Sequence, residues 1–173
     1  NREWSFRKLD FQFETGVRYA ITGPNGSGKS TLLQIISGSA THQEGDIAYY
    51  DTGRRLAPEK IFREMSFSAP YLDVIEEMTL TAFFSFHQHM KGWLPGLAPS
   101  RIISLSGLEN AAHKQIRYYS SGMKQRVKLA QGIFSRVPVV LLDEPLTNLD
   151  EEGIATYLSL VEEFCRDRIV IVS

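Results

Sequence analysis

Gly23-Pro24-Asn25-Gly26-Ser27-Gly28-Lys29-Ser30-Thr31 is the stretch on which the fold turns. It fits the pattern G-x-x-x-x-G-K-[ST], in which glycines let backbone N–H groups turn inward around phosphate oxygens. Its flanks agree. Val17 to Thr22 is β-rich, whereas Leu32, Leu33 and Ile36 recur at helical spacing with Gly38 as a stop. The opening unit therefore reads strand, loop, helix. The helix would point its positive end at the same anion. Lys29 can reach the β- and γ-phosphates, and the Ser30 hydroxyl can bind Mg²⁺. A Gly-rich turn with an exposed lysine is the plainer alternative, and it does not explain the placement between strand and helix. The expectation is that residues 23–31 bind ATP.

Farther along, Val139-Val140-Leu141-Leu142-Asp143-Glu144 is a continuous apolar run ended by two acids. Such runs suit parallel strands covered on both faces, and open α/β sheets bind ligands at the C-terminal ends of their strands. Alone, the pair reads best as an acidic turn. With the phosphate-loop pattern upstream, Asp143 becomes the residue to hold the Mg²⁺ shell and Glu144 the base that polarises the attacking water. Arg168 to Ser173 is a second such run. Between the phosphate-loop pattern and the acidic run, Gly45 to Tyr50 and Met65 to Ser68 read as short strands. Thr79 to Met90, with Leu80, Phe83, Phe84 and Phe86, reads as a helix that Thr79 caps. Ser100 would cap another through Leu105, and Gly92 to Pro99 is a loop. Gly122 to Arg136 carries Met123, Val127, Ala130 and Phe134 as one apolar stripe.

The 173 residues fit one domain, and a 43% apolar fraction supplies a core. A net charge of −1 argues against a protein built to grip nucleic acid, so no nucleic acid is expected. Cys165 is the sole cysteine, which leaves no internal disulfide and makes it a small core hydrophobe. The N-terminus has no apolar stretch resembling a signal peptide, and no segment approaches a spanning helix. These features predict a soluble, intracellular protein whose membrane connection comes through a partner.

Tyr119-Ser120-Ser121-Gly122-Met123-Lys124-Gln125-Arg126 reads as a Ser-capped helix start. It also resembles the signature motif of ATP-binding cassette (ABC) ATPases, usually L-S-G-G-Q. Tyr119 takes the Leu position, Ser120 the Ser, Ser121 and Gly122 the two Gly, and Met123 the Gln. Pro145-Leu146-Thr147-Asn148-Leu149-Asp150 resembles the family's D-loop, which follows the acidic pair directly. The resemblance covers essentially the whole chain. It implies an α/β fold, a P-loop NTPase core of ABC ATPase type with an inserted helical subdomain. Residues 1–70 and 136–173 would form the core and residues 71–135 the helical subdomain. It also implies a head-to-tail dimer with a second cassette, identical or different. Each ATP would lie between one phosphate loop and the partner's signature, contacted in trans by Ser120, Ser121 and Gly122, while Asp150 aligns the halves. A transmembrane permease subunit would hold the pair on the cytoplasmic side of the membrane, and ATP hydrolysis would power transport.

The chain departs from that family in three places. Ala69 or Pro70 falls where a Gln normally contacts Mg²⁺ and the attacking water, and no Gln occurs between Gln43 and Gln88. The switch His would follow Ser173. His42, His87, His89 and His113 lie elsewhere and read as surface residues. The aromatic that stacks on adenine would precede Asn1; Trp4 and Phe6 are near but suit core or edge packing. The chain thus looks trimmed at both ends. The other class weighed is a non-transport ABC ATPase of DNA or ribosome work. DNA types insert a long coiled coil, and no sustained heptads separate Lys29 from Ser121. A purely structural ATP-binding module is a third reading. The intact Asp143-Glu144 pair argues against it and the missing Gln for it.

Overall fold

A computed structural model of the chain describes residues 6–173, so Trp4 lies outside the described residues. Four parallel strands make one sheet in the order β1 (Arg18–Ala20), β6 (Ile169–Val172), β5 (Val139–Leu142), β4 (Met65–Ser68). The register decides where function can sit. Ala20 pairs with Val172, Val172 with Leu142, and Leu142 with Ser68, so the four C-terminal ends form one level edge. The residues that follow each strand are therefore neighbours, although they lie far apart in the chain.

The central strands are buried on both faces, which is why they read as unbroken apolar runs. Leu141 and Ile171 point to one face, where they meet Leu33 and Ile36 of α1 (Lys29–Ile36). Val140, Leu142 and Val170 point to the other. There they meet α4 (Ser121–Phe134) and α5 (Glu151–Phe164), with α2 (Leu80–Met90) and α3 (Pro99–Leu105) in the same apolar cluster. Three of these helices begin on side-chain caps. Thr79 accepts from Ala82 N–H at 3.2 Å, Ser120 from Met123 N–H at 3.2 Å, and Asp150 from Gly153 N–H at 2.9 Å.

Four local expectations need correction. Gly45 to Tyr49 is not strand: only Tyr50–Asp51 (β2) pairs, with Arg54–Arg55 (β3), across a tight turn at Thr52 and Gly53, both at positive φ. One further bond, Leu56 N–H to Tyr49 C=O at 2.8 Å, continues the pairing beyond β2. Ser100 is not a cap, because Pro99 occupies the first turn and Ala98 stands before it. Phe86 is not on the buried stripe of α2 and is 43% exposed. His87 takes that place, buried between α2 and α4. The Ser135 hydroxyl donates to Gln131 C=O, so His87 Nε2–H donates to Ser135 Oγ at 2.8 Å, and Nδ1 accepts from Gln131 Nε2 at 3.1 Å. Burial, with the charge of Lys91 adding to it, pushes the imidazole down to about 4. His87 is a neutral packing residue.

Arg168, which read as the start of an apolar strand, precedes β6 and is itself buried. Its guanidinium donates to Ile133 C=O in the last turn of α4, to Ser135 C=O just after it and to Phe164 C=O at the end of α5. It satisfies carbonyls that helix ends leave unpaired. Cys165 lies fully buried beside it, as expected of a core residue, and burial raises its thiol. Among the described residues no helix is long and apolar enough to cross a membrane.

Candidate functional site

The level sheet edge brings four loops together. After β1 comes the phosphate loop, after β5 Asp143 and Glu144, after β6 Ser173, and after β4 the segment Ala69-Pro70-Tyr71. In the loop, Gly28 adopts a left-handed conformation (φ 95°) immediately before α1, which a side chain would strain. A Cβ on Gly23 would stand 2.7 Å from Ser27 Oγ, so the serine hydroxyl would have to turn aside to admit a side chain there. Lys29 Nζ donates back to Gly23 C=O at 3.0 Å and Pro24 C=O at 3.1 Å, which holds the ammonium across the loop that it opens. Asn25, Gly26 and Thr31 complete this exposed arch at the N-terminal end of α1.

Asp143 is 1% exposed, yet no ion pair reaches it among the described residues. Its N–H donates to Ser68 C=O at 2.8 Å, which fixes it to the neighbouring strand. The Ser173 hydroxyl donates to Oδ1, and the Tyr71 hydroxyl donates to Oδ2 at 3.1 Å. Tyr71 in turn accepts from Gln34 Nε2 at 3.1 Å. Gln34 lies one turn beyond Ser30 on the same face of α1, so this chain of contacts turns the Ser30 face toward Asp143. A buried carboxylate satisfied only by neutral hydroxyls, linked through Tyr71 and Gln34 to the helix on which Ser30 stands, suits a hard divalent cation held by oxygen. No cluster of three or more His, Cys, Asp or Glu offers another metal site among the described residues. Ser30 and Asp143 thus fit the Mg²⁺ that the sequence implies.

Glu144 is exposed beside this buried acid and sits at φ 44°, a conformation uncommon for a non-glycine residue. Its N–H donates to Ser173 C=O at 3.2 Å, and Thr147 Oγ1 donates to Oε2 at 3.3 Å. The carboxylate is therefore aimed outward from the sheet edge, where a general base needs access to water.

The residues of the signature-like motif lie elsewhere. Ser120, Ser121 and Gly122 line a cavity of about 440 Å³ with Met123, Arg126 and Asn148, and no phosphate-loop residue lines it. A Cβ on Gly122 would stand 2.8 Å from Asn148 C=O, so the motif and the segment after Glu144 touch backbone to backbone. Gln125 Nε2, buried, ties that segment to α4 through Pro145 C=O at 3.0 Å. Asp150 caps α5 and accepts from Arg126 at 2.9 Å; the Gly153 N–H first, then Arg126, hold its carboxyl below the usual range.

The ABC transporter family model matches residues 6–147. The chain belongs to the ABC transporter family. It is 34% identical over 146 residues to the cytochrome c biogenesis ATP-binding export protein CcmA of Xylella fastidiosa, covering 84% of this chain and 65% of that protein. It is 32% identical over 172 residues to the uncharacterized ABC transporter ATP-binding protein YybJ of Bacillus subtilis, covering 95% and 76%. In structure it is similar to the ATP-binding cassette MJ0796, solved as a dimer in a post-hydrolysis state with ADP and Pi. The TM-score is 0.80 at 22% identity, over 98% of this chain and 79% of that one. The fold is thus the P-loop NTPase fold of ABC ATPases.

The structure places the phosphate loop and the acidic pair at one sheet edge, and sequence reasoning had named both. It missed Tyr71, Gln34 and Ser173, the polar groups that hold Asp143. None belongs to a motif, and only the strand register shows that they converge.

Proposed function

We propose that this chain is the ATP-binding and ATP-hydrolysing cassette of an ABC transporter. One observation carries the reading: a buried Asp143, with no ion pair among the described residues, shares a sheet edge with the phosphate loop, with Glu144 exposed beside it. The loop amides and Lys29 bind the triphosphate. Ser30 and Asp143 would hold Mg²⁺, which would supply positive charge to stabilise the phosphate oxygens. Glu144 takes the proton of the attacking water. Ser120, Ser121 and Gly122 act on the nucleotide of a second cassette. Their cavity is lined by none of the chain's own loop residues, which supports contact in trans. Asp150, held by Arg126, sets the segment that meets the partner's half.

Exposed apolar side chains support a transmembrane partner. Leu72 and Ile75 precede α2, and Phe86 and Met90 stand one turn apart on it. The assembly therefore lies on the cytoplasmic face of a membrane, held there by that partner. The test is a pair of substitutions. Lys29→Ala should abolish or strongly weaken binding of a fluorescent ATP analogue; unchanged affinity would remove the loop from the site. Glu144→Gln should bind ATP normally, lose about 100-fold or more in turnover, and accumulate an ATP-bound dimer on size exclusion. Wild-type turnover in that variant would place the base elsewhere.

A further inference from the structure

The segment after β4 carries Ala69 or Pro70 where the family has its metal-side glutamine. The next residue does what that glutamine's position calls for. Tyr71 reaches its hydroxyl to Asp143 Oδ2 at 3.1 Å while its ring stays half exposed. Its ring packs edge-on against Phe67 at 6.4 Å. The peptide in front of it is held from behind, since Lys128 Nζ donates to Pro70 C=O at 2.6 Å. Lys124 pairs with Glu76 at 2.5 Å farther along the same segment. On its other side the phenol oxygen accepts from Gln34 of α1. One hydroxyl thus connects the helix of the phosphate loop, the segment packed on α4, and the buried carboxylate.

We infer that Tyr71 is the positioning residue of the metal site, and that its hydroxyl, by orienting Asp143, compensates for the direct metal contact of the absent glutamine. The inference rests on the reading of Asp143 as the metal-holding carboxylate. A phenol O–H can donate to only one acceptor. It is spent on Oδ2, while Gln34 fills an acceptor position on the phenol oxygen. With Ser173 on Oδ1, both carboxylate oxygens are directed by a hydroxyl. Tyr71 acts through Asp143 and touches no reacting atom itself. Groups of this kind orient the residues that contact a metal, and their loss typically lowers metal affinity about 10- to 100-fold.

The readout is the gain in affinity for a fluorescent, non-hydrolysable ATP analogue on passing from EDTA to Mg²⁺. Tyr71→Phe keeps the ring and removes the hydroxyl. It should bind the analogue in EDTA as the wild type does, and its Mg²⁺-dependent gain should fall about tenfold. Tyr71→Gln, whose amide can donate to the same oxygen, should restore most of the gain, which a merely structural role for the ring would not produce. Asp143→Asn should lose the gain altogether. If Tyr71→Phe keeps the full gain while Asp143→Asn loses it, Tyr71 is not a positioning residue and the site stands. A Tyr71→Gln variant no better than Tyr71→Phe also overturns the equivalence. If Asp143→Asn itself keeps the gain, the reading of the metal site falls with it.

Discussion

The two faces of the sheet are packed very differently. Among the described residues, twenty-four buried ones on the face of α4 and α5 form one cluster that runs from Val170 and Leu142 out to Phe84 and Ile102. On the face of α1, the corresponding cluster of described residues has six buried members, and aromatic rings lie partly open above them. Phe11, 58% exposed, meets Phe13 and Tyr19 edge-on. The helix that carries the phosphate loop therefore rests on a thin layer. The helix that carries the signature-like motif is part of a thick body. Dense packing transmits displacement as a rigid unit, whereas a thin layer accommodates adjustment locally. The half that must close around a nucleotide is the half with less to disturb.

The sharpest way to break this comparison lies in two adjacent residues. Leu141 and Leu142 are both fully buried and face opposite clusters. Leu142→Ala should cost about 4 kcal/mol in urea unfolding, and Leu141→Ala about 2.5 kcal/mol, because the thin side can collapse into the space. Equal losses would mean that both faces are equally rigid. Arg168→Met comes next. It leaves the Ile133, Ser135 and Phe164 carbonyls without their donor inside the thick body. The expected loss is about 3 kcal/mol by the same measurement, and a loss under about 1 kcal/mol would show that other donors replace the guanidinium.

The smallest effect is one of pH. His87 titrates near 6.5 in the unfolded chain and at about 4 in the fold. Its folded value is depressed, so the unfolded chain takes up the proton first. The stability held above pH 6.5 is lost as pH falls toward 4. Between pH 7.5 and pH 5 the loss from this group should be about 2 kcal/mol. His87→Gln should remove that portion of the slope in urea midpoints measured across the range. An unchanged slope would free His87 from the packing between α2 and α4.

Much of this was legible because the relevant signals are local. Ser120 and Thr79 announce helix starts within three residues of the amides they cap, and Gly23 to Thr31 carries its loop geometry in its own composition. What was not legible depends on register. Tyr71 and Asp143 meet only because β4 and β5 end level, and no spacing in the chain encodes that. His87 was misplaced for a different reason. It lies three and four residues after Phe84 and Phe83, on the buried stripe, but polarity argued for the surface and Phe86 took its place. Arg168 failed likewise: a charge buried against helix-end carbonyls looks, in a sequence, like the edge of a strand.

The contact between Gly122 and Asn148 bears on how variants of this chain should be interpreted. With a Cβ at 122 confronting a backbone carbonyl at 2.8 Å, any larger residue must push the segment beyond Glu144 out of place. A library of substitutions scored for growth would therefore return glycine at this position whether or not a nucleotide ever touches it. Intolerance there is testimony about clearance between two loops, and only a binding measurement on the assembled pair can speak for the ligand.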